Sequence, residues 1–250
     1  MTAARRLAVL GAPMESEALL EGVNRMPAAL RGAGLIDALG ALDLGDLPID
    51  ITDPKRDITT GLVAYRQIVS ATRIVRDGVA ALLERPELPL VVGGCCGILV
   101  GIFAALQQAR GRTGLAFVDG HYDFYDGATS PAGALADMEL RVLTGAGPDE
   151  LVAAGPAVPL LHPEDAWVLG VRDAEEMTEA GAPDPLVEIS AAHFLDDGDV
   201  LCDPAGAGRS AAEALAASPG RFWLHVDLDV LSVAAMPAME TTTVLRIMAG

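Results

Sequence analysis

The sequence has little positive charge, few aromatic residues and few cysteines, and these shortages exclude several classes of protein. Its 250 residues include 17 Lys and Arg against 35 Asp and Glu, for a formal net charge of −18 at pH 7. Such an acidic chain is repelled by nucleic acid and by anionic membrane surfaces, so we expect neither as a partner. The simplest interpretation of the acidity is a solubilising surface, although it also suits cations or cationic substrates.

Disulfides and membrane segments are not expected either. The three cysteines, Cys95, Cys96 and Cys202, are too few for a disulfide framework. No apolar run reaches the roughly 18 residues that a membrane span needs. The first residues lack the apolar core of a signal peptide. Together these features predict a protein of the reducing cytoplasm.

What the chain does have is apolar runs that alternate with helical patterns. Hydrophobic residues make up 51% of the chain although aromatic residues make up only 4%, which suits close packing of helices on a sheet. The near-continuous apolar runs, typical of buried parallel strands, are Leu7–Leu10, Leu88–Val92, Leu115–Val118, Ala166–Val171 and Phe222–Val226. The predicted helices are Ala28–Leu39, Gly61–Leu83, Ile98–Gln108, Ala136–Leu143 and Ala211–Ala217.

This alternation predicts an α/β fold with three layers, α/β/α, around a central, mostly parallel sheet. Because no repeat or low-complexity linker divides the chain, we interpret residues 1–250 as one domain. In such folds ligands bind at the carboxyl ends of the strands.

Two acidic clusters begin where predicted strands end. The first contains Asp119, His121 and Asp123, and the second contains Asp227 and Asp229. Since alternate residues of an extended chain point to the same side, each cluster directs its polar groups into one place. Carboxylates brought together in this way repel one another unless a cation holds them. The clusters therefore predict a metal site.

Three segments together resemble the ureohydrolase family, which contains the arginases and agmatinases. The letters GGCC at 93–96 correspond to the family's GGDH segment, DGHYD at 119–123 to DAHxD, and DLD at 227–229 to the start of DxDxxDP. Further similarity at 11–13, 45–48 and 170–173 extends the resemblance over roughly residues 6–240. The resemblance also implies the α/β/α fold that arginases share with deacetylases.

The resemblance implies a site for two Mn²⁺ ions per chain. The positions that match the family's metal ligands are Cys96, Asp119, His121, Asp123, Asp227 and Asp229. In the family, a hydroxide shared by the metals attacks a guanidino or amidine carbon and urea is released, while the residue at the Asp123 position passes a proton to the leaving amine. The implied partner is a small guanidino or amidine-type substrate, and the trimers and hexamers of the family imply a homo-oligomer.

The first metal position departs from the family pattern. Cys96 stands where most members have His, and Cys95 stands where they have Asp. A thiolate ligand favours Zn²⁺, Fe²⁺ or Co²⁺ over Mn²⁺. The alternative is that Cys96 is a small buried hydrophobic residue and that this metal position is weak or empty.

The loop after the second segment departs as well. Ala136 takes the place of a proton-shuttling His, which weakens the case for arginine as substrate. Asp137 and Glu175 are candidate substrate-binding residues, the second because it aligns with an acid that meets the substrate's amino group in arginases. For Asp137 and Glu139 the preferred interpretation is that acids favour the start of a helix. For Glu175 the alternative is a surface role.

His225 and the end of the chain complete the candidate site. His225 lies two residues before Asp227, so it shares that strand face and is a candidate catalytic proton shuttle or support for a ligand; a core histidine is the alternative. After Asp229 the chain has Ser232 and Val233 where the family continues to Asp-Pro. We expect the family's last strand and helices to be missing or replaced after about residue 240.

The sequence hypothesis is therefore a metal-dependent hydrolase of the ureohydrolase family, with a catalytically impaired, binding or structural member as the alternative. A phosphatase whose nucleophile lies in the 227–230 strand is rejected, because that motif should stand near the beginning of its domain. A zinc-dependent deacetylase fits less well, because it needs an Asp-x-His ligand pair without this many carboxylates.

Overall fold

The computed structural model describes residues 5–18, 22–232 and 234–236. Within them strands and helices alternate along the chain. The strands are β1 Leu7–Ala12, β2 Leu42–Asp46, β3 Leu88–Gly93, β4 Gly114–Val118, β5 Ala166–Val171, β6 His193–Asp196 and β7 Phe222–Val226. The α-helices are α1 Met26–Gly32, α2 Leu35–Leu39, α3 Tyr65–Leu83, α4 Ile98–Arg110, α5 Glu139–Leu143, α6 Asp149–Val152, α7 Ala174–Glu179, α8 Pro185–Glu188, α9 Asp197–Cys202 and α10 Pro204–Ala217.

All paired strands in these ranges run parallel. They form a three-stranded sheet in the order β2-β1-β3 and a four-stranded sheet in the order β6-β5-β4-β7. Consecutive residues of β1 and β4 are buried, which requires cover on both faces. The predicted three-layer α/β/α arrangement with parallel strands is confirmed.

The five predicted strands are all present, but β2 and β6 were missed. Both lie at the outer edge of a sheet and carry exposed or half-buried residues, so neither has a continuous apolar run. The expectation of burial is wrong for β7, where Leu224 is 58% and Val226 is 52% exposed. An outer strand has a neighbouring strand on one side only, so a prediction from its apolar sequence overestimates its burial.

Helix boundaries differ from prediction where backbone chemistry intervenes. The predicted helix Ala28–Leu39 is two helices, because Gly34 between them adopts a left-handed φ of 90°. The last helix begins at Pro204, earlier than predicted, and the Asp203 side chain accepts a hydrogen bond from the Gly206 N–H at 2.9 Å. This Asp-Pro start is a capping signal that the apolar pattern did not contain.

Helices α3 and α4 pack against each other beside the sheets. A Cβ on Gly101 of α4 would come within 2.7 Å of the Thr72 carbonyl oxygen of α3, so glycine permits this close approach. No described helix has both the length and the apolar character needed to cross a membrane. The assignment of residues 1–250 to one domain stays a prediction, and the expected replacement of the family's ending concerns residues 237–250, outside the described part.

Candidate metal centre

The candidate ligands are carried by the carboxyl ends of three parallel strands. Asp119 directly follows β4, Asp227 directly follows β7, and the turn with Cys96 follows β3. The hydrogen bonds between neighbouring strands continue one residue past the ends of β4 and β7. The Asp227 N–H donates to the Val118 carbonyl at 2.8 Å, and the Asp119 N–H donates to the Leu169 carbonyl at 3.1 Å. These bonds fix the direction in which both carboxylates leave the sheet.

Potential ligand atoms converge at this edge. In each of three overlapping groups, one nitrogen, sulfur or oxygen atom per residue lies within 4.8 Å of the others. The groups are Cys96, Asp123 and Glu139; Asp119, His225 and Asp227; and Asp119, His121 and Asp123. Oxygen, imidazole and thiol donors in such groups fit divalent metal ions.

Asp119 lies at the centre of the arrangement. It is fully buried, and its Oδ1 accepts a hydrogen bond from the His121 N–H at 2.8 Å. Its Oδ2 is buried without a hydrogen-bond partner among the described residues. Burial and the nearby carboxylates of Asp227 and Asp229 raise the pKa of Asp119 well above its usual value. A buried carboxylate oxygen without a hydrogen-bond partner, such as Oδ2 of Asp119, is well suited to bind a metal ion.

His121 joins the two acidic clusters. Its Nδ1 lies 2.9 Å from Oδ2 of Asp229 and 3.7 Å from Oδ1 of Asp119. Burial alone lowers the pKa of His121, but hydrogen bonds to Asp119 and Asp229 outweigh burial and raise it to about 11. The same contact with His121 outweighs burial at Asp229 and lowers the pKa of that carboxyl. The contact with His121 therefore connects Asp229 to the other ligand residues.

Asp123 has an unusual backbone that aims its side chain. It adopts a left-handed φ of 49°, which is rare for residues other than glycine. The loop is fixed on both sides: the Leu140 N–H donates to the Asp123 carbonyl at 3.2 Å, and the Tyr122 N–H donates to Oδ1 of Asp173 at 3.0 Å. Strain of this kind is retained where the surrounding structure holds a functional group in place.

Cys96 and Cys95 have different surroundings. Cys96 is buried, its Sγ lies 3.3 Å from the Ala136 carbonyl oxygen, and it belongs to the group with Asp123 and Glu139. Burial and the neighbouring carboxylates raise the pKa of the Cys96 thiol. Burial also raises the pKa of Cys95, to about 12, but Cys95 belongs to none of the ligand groups among the described residues. This arrangement favours the interpretation of Cys96 as a ligand.

His225 is a half-buried residue of β7 that lies next to Asp119 and Asp227 in the site. Its ring packs against Phe117 with centroids 5.3 Å apart, and its Nε2 is buried without a partner in the described chain. Burial lowers the pKa of His225 to about 4, so the imidazole is neutral at pH 7. An unpartnered nitrogen argues against a satisfied core histidine. A neutral ring suits metal ligation or proton acceptance better than proton donation.

Glu139 is the residue that sequence reasoning undervalued. The sequence favours a helix-start role, but Glu139 is fully buried and both of its carboxylate oxygens lack a hydrogen-bond partner among the described residues. The sequence does indicate that Glu139 lies on an apolar helix face, because Val142 and Leu143 follow it at three and four positions. The pattern did not reveal that the face meets Cys96.

The two predicted substrate-binding residues lie in different surroundings. Asp137 is half-buried and accepts a hydrogen bond from the Ser130 hydroxyl, while burial raises its pKa. Glu175 lies exposed in the first turn of α7 and belongs to none of the ligand groups in the described ranges. The structure therefore brings Asp137 close to the site's charges but leaves Glu175 in a surface environment. Both assignments stay predictions.

Arg172 holds the end of the second acidic cluster. Its guanidinium donates to the carbonyl oxygens of Asp229 and Val230. A Cβ on Gly120 would lie 2.4 Å from this guanidinium, so glycine leaves room for the arginine. The family resemblance at 170–173 does not by itself reveal this role of Arg172.

Glu17, on the loop after β1, predicts a pH-dependent stability. Burial, Asp137 and Glu15 raise its pKa from 4.5 to about 7, so the folded chain holds this proton more tightly than the unfolded chain. Stability from Glu17 is complete below pH 4.5 and is lost as the pH rises to 7. We expect Glu17→Gln to exceed the wild type in unfolding free energy by about 1 kcal/mol at pH 8, since partial exposure weakens the effect.

Urea unfolding of the metal-free proteins at pH 4.5 and pH 8 measures this difference. The same substitution at Glu213, exposed on α10, controls for the loss of one surface charge. A Glu17→Gln advantage that is equal at both pH values contradicts the assignment.

Comparison with known proteins gives a consistent result. The Arginase family model matches residues 5–245. An arginase from Staphylococcus aureus (strain MSSA476) is 32% identical over 183 residues, which cover 70% of this chain and 60% of that protein. An arginase from Bacillus caldovelox is 28% identical over 247 residues, which cover 95% of this chain and 80% of that protein.

The solved structures agree. The native structure of the Bacillus caldovelox arginase at pH 5.6 matches with a TM-score of 0.77 and 26% sequence identity, over 93% of this chain and 79% of that chain. The arrangement of parallel strands and helices is therefore the arginase fold. The match to the Staphylococcus aureus protein spans 60% of that relative, so similarity alone does not transfer its activity.

Proposed function

Because the chain belongs to the arginase family, we propose that it is a metal-dependent hydrolase that cleaves the C–N bond of a guanidino or other amidine group. A guanidino substrate then yields urea and an amine. The observation that carries this proposal is the set of buried ligand atoms without partners, Asp119 Oδ2 and His225 Nε2 among them, at the carboxyl edge of parallel strands. Unpaired buried polar atoms are costly unless something binds them.

The residues fit a two-metal centre. We propose two Mn²⁺ per chain, or Zn²⁺, Fe²⁺ or Co²⁺ where Cys96 contributes its sulfur. The proposed ligands are Cys96, Asp119, His121, Asp123, Asp227 and Asp229. When bound, the ions would supply Lewis acidity and lower the pKa of a water molecule toward neutrality.

The remaining chemistry falls to side chains of the chain itself. Asp123, held by its strained backbone, accepts a proton from the attacking water and passes it to the leaving amine. The neutral imidazole of His225 is a second proton acceptor beside Asp227. Asp137, whose carboxyl lies close enough to His121 for the two charges to interact, adds an acidic group that attracts a cationic guanidinium. Ala136, where a shuttle histidine would stand, makes arginine a less favoured substrate.

Metal analysis combined with a substrate panel tests the proposal. The protein is loaded with Mn²⁺, Zn²⁺ or Co²⁺, dialysed, and assayed for bound metal and for urea or ammonia release from linear and cyclic guanidino and amidine compounds. We expect two metals per chain and metal-dependent turnover of at least one guanidino compound. A folded protein that binds no metal, or that binds two and hydrolyses nothing, supports the catalytically impaired alternative.

Oligomerisation and location are part of the proposal. The family relationship supports a homo-oligomer, which sedimentation analysis would test. The three cysteines are free thiols, which supports a reducing, cytoplasmic location.

A further inference from the structure

The first turn of α5 places a carboxylate against the thiol of the β3–α4 turn. Glu139 is fully buried, and its oxygen atoms lie within 4.8 Å of ligand atoms of Cys96 and Asp123. Two contacts fix this arrangement: the Leu140 N–H donates to the Asp123 carbonyl at 3.2 Å, and the Cys96 thiol donates to the Ala136 carbonyl at 3.3 Å. All three side chains therefore have little freedom to move apart.

An ordinary helix-start role does not account for Glu139. An acid that stabilises a helix N-terminus does so while its charge remains in water or accepts hydrogen bonds from the free N–H groups. Glu139 is removed from water, and in the described chain neither of its oxygens accepts a hydrogen bond. No lysine, arginine or histidine within 4.0 Å pairs with it among the described residues. The side chains nearest to its oxygens, Asp123 and Cys96, are themselves acidic, so among the described residues no cation compensates the burial of this carboxylate.

We propose that Glu139 is a metal ligand and that, with Cys96 and Asp123, it forms a thiolate–carboxylate position that prefers Zn²⁺ or Co²⁺ to Mn²⁺. The preference follows from the donors, since a soft thiolate selects borderline metals and each carboxylate adds a hard oxygen. This inference rests on the metal centre of the proposed function and adds a ligand to it. It also gives Cys96 two carboxylate co-ligands at the position where most members of the family have a histidine ligand.

Cobalt alone is the probe for this position. Metal-free protein is titrated with Co²⁺, and bound Co²⁺ is measured together with the thiolate-to-cobalt charge-transfer absorption. We expect that absorption in the wild type and its loss in Cys96→Ser. Glu139→Gln keeps the size of the side chain but removes its charge, and we expect Co²⁺ affinity at this position to fall about tenfold or more.

A matched control separates ligand loss from general damage. Asp165 is also a buried carboxylate, but it lies at the amino end of β5 and pairs with Arg112, at the opposite end of the strand from the site. Asp165→Asn should leave the cobalt titration unchanged even if it lowers stability. In the metal-free state Glu139→Gln should melt at or above the wild-type temperature, because the buried carboxylate has no cationic partner to lose and stands beside the Asp123 carboxylate.

The outcomes distinguish this inference from the proposed function. If the wild type binds two Co²⁺ and Glu139→Gln binds them equally well, Glu139 is not a ligand although the hydrolase proposal stands. A metal-free Glu139→Gln variant that melts well below the wild type would show that the carboxylate is partnered by protein, which also overturns the inference. If the wild type binds no Co²⁺, the metal centre itself is absent and both proposals fail.

Discussion

Replacing both Asp119 and Asp227 by alanine is expected to reduce bound metal to at most one ion per chain and to lower activity about a thousandfold or more. Asp119 contributes to two of the three ligand groups and shares one of them with Asp227, so these two groups lose oxygen ligands, while the group of Cys96, Asp123 and Glu139 keeps its set. Losing Lewis acidity worth several kcal/mol accounts for an effect of this size. Metal content and guanidino hydrolysis of the purified variant are the measurements.

The fold should survive this double substitution. Burial and mutual repulsion raise the pKa of Asp119 well above its usual value and that of Asp227 to about 6, so the metal-free chain loses unfavourable charge when both are removed. We expect the metal-free variant to melt close to the wild-type temperature, while added metal raises that temperature less than it does in the wild type. Full metal-dependent activity in this variant would refute the proposed mechanism.

The second large effect is expected at Gly94, which carries the turn between β3 and Cys96. A Cβ at this position would lie 1.9 Å from the Met14 carbonyl oxygen, which is backbone and cannot rotate away. The same turn donates from the Gly94 N–H to the Ala12 carbonyl at 3.0 Å and from the Cys95 N–H to the Met14 carbonyl at 2.9 Å. Gly94→Ala should therefore cost roughly 3 kcal/mol of unfolding free energy and displace Cys96.

Gly208→Ala is the matched control for this prediction. Gly208 lies inside α10, and a Cβ there would meet nothing within 4 Å. Alanine at an exposed helical position stabilises by roughly 0.5–1 kcal/mol relative to glycine. Urea unfolding of both variants should give effects of opposite sign. Equal effects, or a Gly94→Ala variant with wild-type stability and cobalt binding, would show that the turn can yield.

The sequence predicts the central strands and the ligand clusters because both depend on local patterns. Runs such as that in β4 are continuously apolar, and Asp119, His121 and Asp123 follow at a regular spacing. The edge strand β2 lacks a continuous apolar run because three of its five residues are exposed, so the sequence does not predict it. The break at Gly34 was missed because a single glycine inside a helical pattern does not by itself reveal a left-handed φ.

Glu139 shows a different limit of sequence reasoning. Its position at the start of a helix gives a sufficient local reason for an acid, so the pattern offers no need for another role. What distinguishes it is the distance to Cys96 and Asp123, which lie 43 and 16 positions earlier in the chain. Proximity of that kind arises from the packing of α5 against the β3–α4 turn. It becomes visible only when the chain is folded.

The proton on His121 has a consequence for the order of assembly. In the metal-free chain this imidazolium places a positive charge between Asp119 and Asp229, where a divalent ion would otherwise provide it. The acidic edge is thus partly neutralised before any metal arrives, which favours folding of the metal-free chain. We expect metal uptake to be an exchange reaction, in which an incoming ion displaces the proton of His121.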